Sequence, residues 1–178
     1  MITVISGTNR EDSKTSIVSN ALLDLLKDLE QEAHFVDLAQ VSIDIKQEHL
    51  YDEEKLSEAL IKIQDNSIIP AEKVIYVAPE YNGSYAGFLK YFIDVISVRK
   101  YKETFNNKKC LLIGVSSGRA GNLRGLDHLT GSLNHVGSIV MPGCLPISQI
   151  GSHLTDAGAL NDETINLLKE KLDQFIIF

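Results

Sequence analysis

The stretch Val74-Ile-Tyr-Val-Ala-Pro-Glu-Tyr-Asn-Gly-Ser84 constrains the fold more than any other part of the chain. A short apolar run, Val74 to Ala78, breaks into a turn over Pro79 to Gly83. Helical spacing begins at Ser84 and is expected to run to about Val98, with Phe88, Leu89, Phe92, Ile93 and Ile96 on one face. A buried strand that stops at a Pro/Asn/Gly loop and restarts as a helix belongs at the carboxyl edge of an open α/β sheet, where such sheets bind ligands.

The rest of the chain repeats this unit. Ile2 to Ile5 is a β-branched run ended by Ser6-Gly7-Thr8-Asn9. A helix follows with Asp12 or Ser13 as its N-cap, and Ile17, Val18, Ala21, Leu22, Leu25, Leu26 and Leu29 recur at helical spacing. Ala33 to Leu38 contains a second strand, and Glu53 to Gln64 an amphipathic helix through Leu56, Ala59, Leu60 and Ile63. Cys110 to Val115 is a fourth strand ended by Ser116-Ser117-Gly118-Arg119-Ala120-Gly121. Leu123, Leu126, Leu129, Leu133 and Val136 mark the helix after it. Ser138 to Met141 is a short last strand, Pro142 to Gly151 a broken loop, and the final helix turns Leu160, Ile165, Leu168, Leu172, Phe175 and Ile176 inward. Strict alternation gives a parallel sheet covered on both faces, because each right-handed crossover needs a helix. The expected fold is one α/β domain over residues 1–178, a flavodoxin-like three-layer α/β/α sandwich with five parallel strands in the order 2-1-3-4-5. That order sets the first and third strand loops on either side of one crevice.

Other stretches say less. Val41 to Asp52 alternates Ile43 and Ile45 with polar residues and then turns acidic, which suits an extended connection over the sheet edge. Its Glu48-His-Leu-Tyr-Asp-Glu-Glu54 run is a solvated connection or, more sharply, a lid over the crevice. Lys108-Lys109 reads as a solvated strand start. A net charge of −7 with no basic stretch argues against nucleic acid. No run reaches the roughly 18 apolar residues of a spanning helix. The N-terminus enters a strand pattern without the basic region of a signal peptide. Cys110 and Cys144 are far apart, lack CxxC spacing, and read as small buried hydrophobes in a reducing compartment, so a cytoplasmic location is expected. His34, His49, His128, His135 and His153 show no HExxH-type spacing, so no metal is expected. Ser6, Ser116 and Ser117 do not lie in GxSxG, which disfavours hydrolase chemistry.

Three loops carry the chemistry. In the first, Gly7 to Thr15, a strand meets a helix N-terminus, whose free N–H groups and dipole make an anion site. Thr8, Ser13, Thr15 and Ser16 add hydroxyls, Lys14 lies in the same turn, and Arg10 suits bidentate contact with a phosphate. The loop matches neither GxGxxG nor GxxxxGK[ST]. In the second, Pro79, Glu80, Tyr81, Asn82, Gly83 and Ser84 set an aromatic ring beside turn N–H groups, a surface suited to a flat heterocycle such as isoalloxazine. In the third, the Gly-rich run of Ser117, Gly118 and Gly121 lets backbone approach a ligand closely, and Arg119 suits the negative charge of a reduced flavin or the phosphate of a nicotinamide cofactor. Each loop also has a plain reading: a polar helix cap, a β-turn with Ser84 as N-cap, and an ordinary strand turn.

These motifs resemble the NADPH-dependent FMN reductase family, flavodoxin-like flavoproteins that include azoreductases, quinone reductases and chromate reductases. Gly7-Thr8-Asn9-Arg10-x-x-Ser13-x-Thr15 is similar to the family's phosphate loop. Pro79 to Ser84, followed by Gly87, Leu89-Lys90 and Ile93-Asp94, is similar to its PEYN signature, and Ser117-Gly-Arg-x-Gly121 to its third flavin loop. Thr15, Ala86, Tyr91-Phe92 and Val95 depart from the family pattern. The resemblance implies that Thr8, Arg10, Ser13 and Thr15 hold the phosphate of FMN. It also implies that Pro79, Glu80, Tyr81 and Asn82 wrap the ring while Ser117, Gly118 and Gly121 line its other edge. No side chain is then a catalytic acid or base. NAD(P)H passes hydride to flavin N5, and a flavin, quinone, azo or similar small-molecule acceptor takes it in a second step. A homodimer or homotetramer is expected from the resemblance, with Tyr85, Phe88, Tyr91 and Phe92 as surplus aromatic surface. The alternatives are a flavodoxin-type electron carrier, disfavoured by Arg10 in the phosphate loop, and a flavin-less binding protein on the same fold.

Overall fold

A computed structural model of the protein describes residues 1–41, 43 and 52–178. The proposed lid and the histidine at position 49 therefore lie outside the described residues, except for the end of the acidic run. Among the described residues seven strands occur in the order β1 (Ile2–Ser6), β2 (Ala33–Asp37), β3 (Lys73–Tyr81), β4 (Ser84–Tyr85), β5 (Lys109–Val115), β6 (Ile139–Val140) and β7 (Leu145–Ile147). The helices are α1 (Lys14–Asp28), α2 (Glu58–Ile63), α3 (Gly87–Ile96), α4 (Tyr101–Phe105), α5 (Leu123–His135) and α6 (Asp162–Ile177).

The main sheet runs β2-β1-β3-β5-β6 and is parallel throughout. Its central strands are apolar on both faces because both faces are covered. On one face α1 and α6 bury Val18, Leu22, Leu26, Leu168, Leu172 and Phe175 against Val4, Ile75, Val77, Leu111 and Ile113. On the other, Leu60, Leu89, Phe92, Leu126 and Leu129 pack on Ile5, Tyr76, Ala78 and Leu112. Each fully buried Val, Leu, Ile or Phe among them contributes about 1.5–3 kcal/mol. This is the expected flavodoxin-like α/β/α sandwich, with one refinement. The fifth strand position is shared: β6 pairs with the start of β5 (Lys109↔Ile139), and β7 pairs with its end (Ile113↔Leu145, Val115↔Ile147). Met141 to Cys144, with Pro142 and Gly143, bow out between them, so part of the expected loop is strand.

Other differences have local causes. β3 does not stop at Pro79 but runs on to Tyr81, because Pro79 keeps register with β5 (Pro79↔Val115) and the next two residues pair with the returning β4. The helix after it begins at Gly87, not Ser84; Ser84 belongs to β4, and the cap residue Ala86 offers no side-chain acceptor. The expected helix over Glu53 to Gln64 is a short 3₁₀ turn (Glu53–Lys55), then α2 capped by Ser57, then one wide π turn over Gln64–Ile68. That turn aims the buried Gln64 amide at the carbonyls of Ile96 (2.8 Å) and Arg99 (2.7 Å). It also sets Asp65 against Arg99, whose Nη1 and Nη2 donate to its two oxygens at 2.8 and 3.0 Å, and Lys100 adds a third bond at 3.0 Å. These cations hold the Asp65 carboxyl at about 2, below its usual 3.8.

Lys108 is not a solvated strand start. It is buried, and its ammonium donates to the carbonyls of Ile69 (2.8 Å) and Ala71 (2.6 Å); burial pushes it below its ordinary value. Lys73 and Lys109, register neighbours on β3 and β5, donate to the last carbonyls of α6, at Phe175, Ile176 and Phe178. Cations there satisfy orphan acceptors and oppose the helix dipole. Cys110 is buried, its thiol pushed up to about 12, whereas Cys144 is only half-buried in the bowed segment. Of the four aromatics expected at the surface, Tyr85 and Phe92 are core residues, and Phe88 and Tyr91 pack half-buried against them.

Candidate functional site

β1, β3, β5 and β7 all end at one edge, and the chain reversals there enclose a cleft of about 300 Å³. The first reversal is prepared by Gly7. Its N–H donates to the Val77 carbonyl at 2.8 Å, and a Cβ there would stand 2.8 Å from that oxygen and 2.9 Å from Leu89 Cδ2. Ser13 is then the N-cap of α1: its backbone is extended and its Oγ accepts the Ser16 N–H at 3.2 Å. The N–H groups of Lys14 and Thr15 in the first turn have no intrahelical acceptor. Arg10, Ser13, Lys14 and Thr15 all line the cleft. Thr8 does not. It is fully buried, its Oγ1 lies 2.6 Å from the Tyr81 hydroxyl and accepts the Arg10 N–H at 3.2 Å. Its hydroxyl joins the first loop to the second.

In the second reversal the β3 extension turns back as β4 (Glu80↔Tyr85, Tyr81↔Ser84). Asn82 (φ 52°) and Gly83 (φ 81°) are both left-handed, as a two-residue type I′ hairpin requires. Pro79, Glu80 and Tyr81 line the cleft, while Asn82, Gly83 and Ser84 form the hairpin tip beyond its walls. The tip is strapped to α5: Ser84 Oγ lies 2.9 Å from His128 Nδ1, and the Tyr85 hydroxyl 3.0 Å from Ser132 Oγ. Contact is so close at Gly125 that a Cβ there would stand 2.5 Å from the Tyr85 nitrogen.

The third reversal is held from within and from β7. Ser116 Oγ donates to the Gly118 carbonyl (2.8 Å) and accepts the Gly121 N–H (3.0 Å). Ser116 N–H donates to Ile147, and the N–H groups of Gln149 and Ile150 donate back to Gly118 and Ser116 at 2.7 and 2.9 Å. Ser117 faces the cleft; Gly118 and Arg119 are exposed on the outer side; Gly121 is buried beneath, against Pro146. A fourth wall, unanticipated from sequence, comes from Ile150, with Gly151 beside Lys14. Its signal was positional: a fifth parallel strand must also deliver its carboxyl end to this edge. Asn122 was also missed. Buried in the left-handed region (φ 66°), it donates its N–H to Glu80 Oε2 at 3.0 Å and its side-chain amide to the carbonyls of Ala78 and Pro79 at 3.0 and 3.1 Å. An Asn following Gly at a strand–helix junction is the available hint. Glu11, Asp12, Val115 and Ser116 complete the lining.

The cleft lining thus combines two kinds of surface. Arg10, Lys14, Ser13 and the α1 amides supply donors; Pro79, Tyr81, Val115 and Ile150 supply ring and aliphatic surface. The two buried side-chain polar atoms lacking a partner among the described residues, Ser6 Oγ and Asn122 Oδ1, belong to this same edge. A phosphate joined to a planar ring fits that donor set. Among the described residues no group of three or more His, Cys, Asp or Glu side chains is placed to hold a metal ion. No helix among them is long and apolar enough to cross a membrane.

Residues 1–151 match the family described as NADPH-dependent FMN reductase. A quinone reductase of Pseudomonas putida is 29% identical over 180 residues, covering 98% of this chain and 91% of its own. An NAD(P)H-dependent FMN reductase of Pseudomonas aeruginosa is 40% identical over a shorter stretch of 63 residues, 35% of this chain and 34% of its own. Among solved structures, a flavoenzyme NAD(P)H:(acceptor) oxidoreductase from Paracoccus denitrificans superposes with a TM-score of 0.79 at 24% identity, over 98% of this chain and 94% of that one. The last likeness is one of fold.

Proposed function

The chain belongs to the NADPH-dependent FMN reductase family, and from that premise we propose that one FMN lies in the four-walled cleft and serves two successive half-reactions, oxidation of NAD(P)H and reduction of a quinone, flavin or azo acceptor. When bound, FMN would supply the two-electron redox chemistry that links oxidation of NAD(P)H to reduction of the acceptor. The protein's residues bind and orient. Arg10, Ser13, Lys14, Thr15 and the first amides of α1 hold the phosphate, Arg10 by its paired donors. Pro79, Glu80 and Tyr81 support one edge of the ring and Ser117 the other, with Asn82, Gly83 and Ser84 fixing the hairpin from its tip. Thr8 holds the Tyr81 ring in place through the 2.6 Å hydroxyl contact. Gly118, Arg119 and Gly121 shape the third loop behind Ser117. No side chain of the chain is assigned as a proton donor.

One observation carries this reading: the donors of a helix N-terminus and the ring and aliphatic surface of Pro79, Tyr81, Val115 and Ile150 line the same cleft. A quinone acceptor is favoured by the relative from P. putida, which spans nearly the whole chain. A homo-oligomer and a cytoplasmic location suit a reductase drawing on cellular NAD(P)H. The purified protein is expected to show flavin absorbance, retained or restored with FMN, and to oxidise NAD(P)H in the presence of a quinone, free FMN or an azo dye. A protein that takes up no FMN, or that reduces none of these acceptors, overturns the proposal.

A further inference from the structure

The chain has four arginines. Arg99 is paired bidentately with Asp65. The other three, Arg10, Arg119 and Arg124, stand at the carboxyl edge of the sheet, and their guanidinium groups make no hydrogen bond or ion pair with another described residue. In a protein of net charge −7, three unpaired arginines on one rim mark a place for anions. Arg10 lines the cleft with Ser13, Lys14 and Thr15; Arg119 and Arg124 do not line it. Arg124, on the first turn of α5, lies over the tip of the β3–β4 hairpin, its Nη2 3.2 Å from where a Cβ on Gly83 would stand. The bare glycine is what leaves room for the guanidinium. One turn further, His128 is exposed and has Nδ1 engaged with Ser84 Oγ at 2.9 Å. Gly125 between them lets α5 press against the hairpin, so both side chains stand beside the turn whose strand residues Pro79, Glu80 and Tyr81 line the cleft. Arg119 is exposed on the loop leading into α5, and Asp127, the carboxylate nearest in sequence, forms no ion pair with Arg124.

We propose that Arg124, with His128 and Arg119, is a second phosphate site that takes a phosphate group of the nicotinamide co-substrate. This rests on the reading of the cleft as an FMN reductase site. A nicotinamide stacked on a flavin in the cleft would trail its phosphates outward over a rim, and this rim carries the arginines that form no ion pair with a described residue. The phosphate has two sources: the pyrophosphate of either dinucleotide, or the 2′-phosphate that only the NADP form carries.

The test is calorimetric titration of the FMN-treated protein with NADP⁺ and NAD⁺, beside KM for NADPH and NADH. Arg124→Gln is expected to weaken binding and raise KM about tenfold or more, the size of a lost charge-assisted bond, while kcat and flavin absorbance stay near those of the parent. Arg124→Lys should recover part of the loss, since Lys supplies charge without the bidentate fork. Loss confined to NADP⁺ and NADPH assigns the 2′-phosphate; equal loss for both dinucleotides assigns the pyrophosphate. Unchanged binding of both, or a change in oligomeric state alone, overturns the proposal. Should Arg124→Gln fail to fold, His128→Gln is read by the same dinucleotide titration, where weakened NADP⁺ or NAD⁺ binding supports the site and unchanged binding overturns it. A parent protein that binds no FMN defeats the cleft reading instead, and the NADP⁺ titration still reports on the arginines.

Discussion

Gly125 and Gly131 sit six residues apart on α5 and should answer oppositely to the same substitution. A Cβ at Gly125 meets Tyr85 nitrogen at 2.5 Å and the Ser84 carbonyl carbon at 2.6 Å, backbone atoms that cannot turn aside. Gly131 faces open space. Gly125→Ala is therefore expected to cost about 1–3 kcal/mol, as overpacking does, whereas Gly131→Ala should gain about 0.5–1 kcal/mol from helix propensity. Urea denaturation of the two variants checks both signs. Such asymmetry is invisible in sequence, where both are glycines on an amphipathic helix. The same blindness applies to hydroxyls. Thr8, Ser13 and Thr15 look equivalent in the first loop, but burial at the strand exit turns Thr8 toward Tyr81, while Ser13 and Thr15 line the cleft. Which residues cluster in the loop was legible; which way each side chain points was decided by packing.

At the level of elements, long periodic segments were legible and short paired ones were not. β1, β3, β5, α1, α5 and α6 follow from apolar periodicity because each buries a continuous stripe. β4 and β7 have two and three residues, too few for alternation to register, and Ser84 imitates an N-cap at the place where the hairpin returns. The π turn after α2 was likewise hidden, since its reason is a long-range pairing of Asp65 with Arg99. That pairing has a defined pH dependence. The folded protein holds the Asp65 carboxyl at about 2 against the usual 3.8, so the ionised form is favoured by folding. Its stabilisation is fully present above pH 4 or so and is lost as pH falls toward 2. The melting-temperature difference between the parent and Asp65→Asn should be present at neutral pH and shrink across that window. A difference constant from pH 7 to 2 would contradict the assignment.

For the whole molecule, three of the cleft walls are already fixed by their own hydrogen bonds, so binding FMN orders little more chain. With FMN at a hundredfold excess over its dissociation constant the folded state should gain about 2.7 kcal/mol. That is a rise of several degrees in melting temperature, about 2–4 °C per kcal/mol for a chain of this size. A single unfolding transition is expected, because one sheet carries both cores. The split of the fifth strand position has a further effect on how copies of the chain behave when crowded. Two- and three-residue strands, parted by Pro142 and Gly143 and with Pro146 inside the second, offer no straight row of amides on which a foreign strand could grow. The opposite flank, β2, runs five residues with Phe35 38% exposed, and no described strand pairs beyond it. Clumping in concentrated stocks should therefore begin at β2, and Phe35→Lys should keep such solutions clear to light scattering for longer.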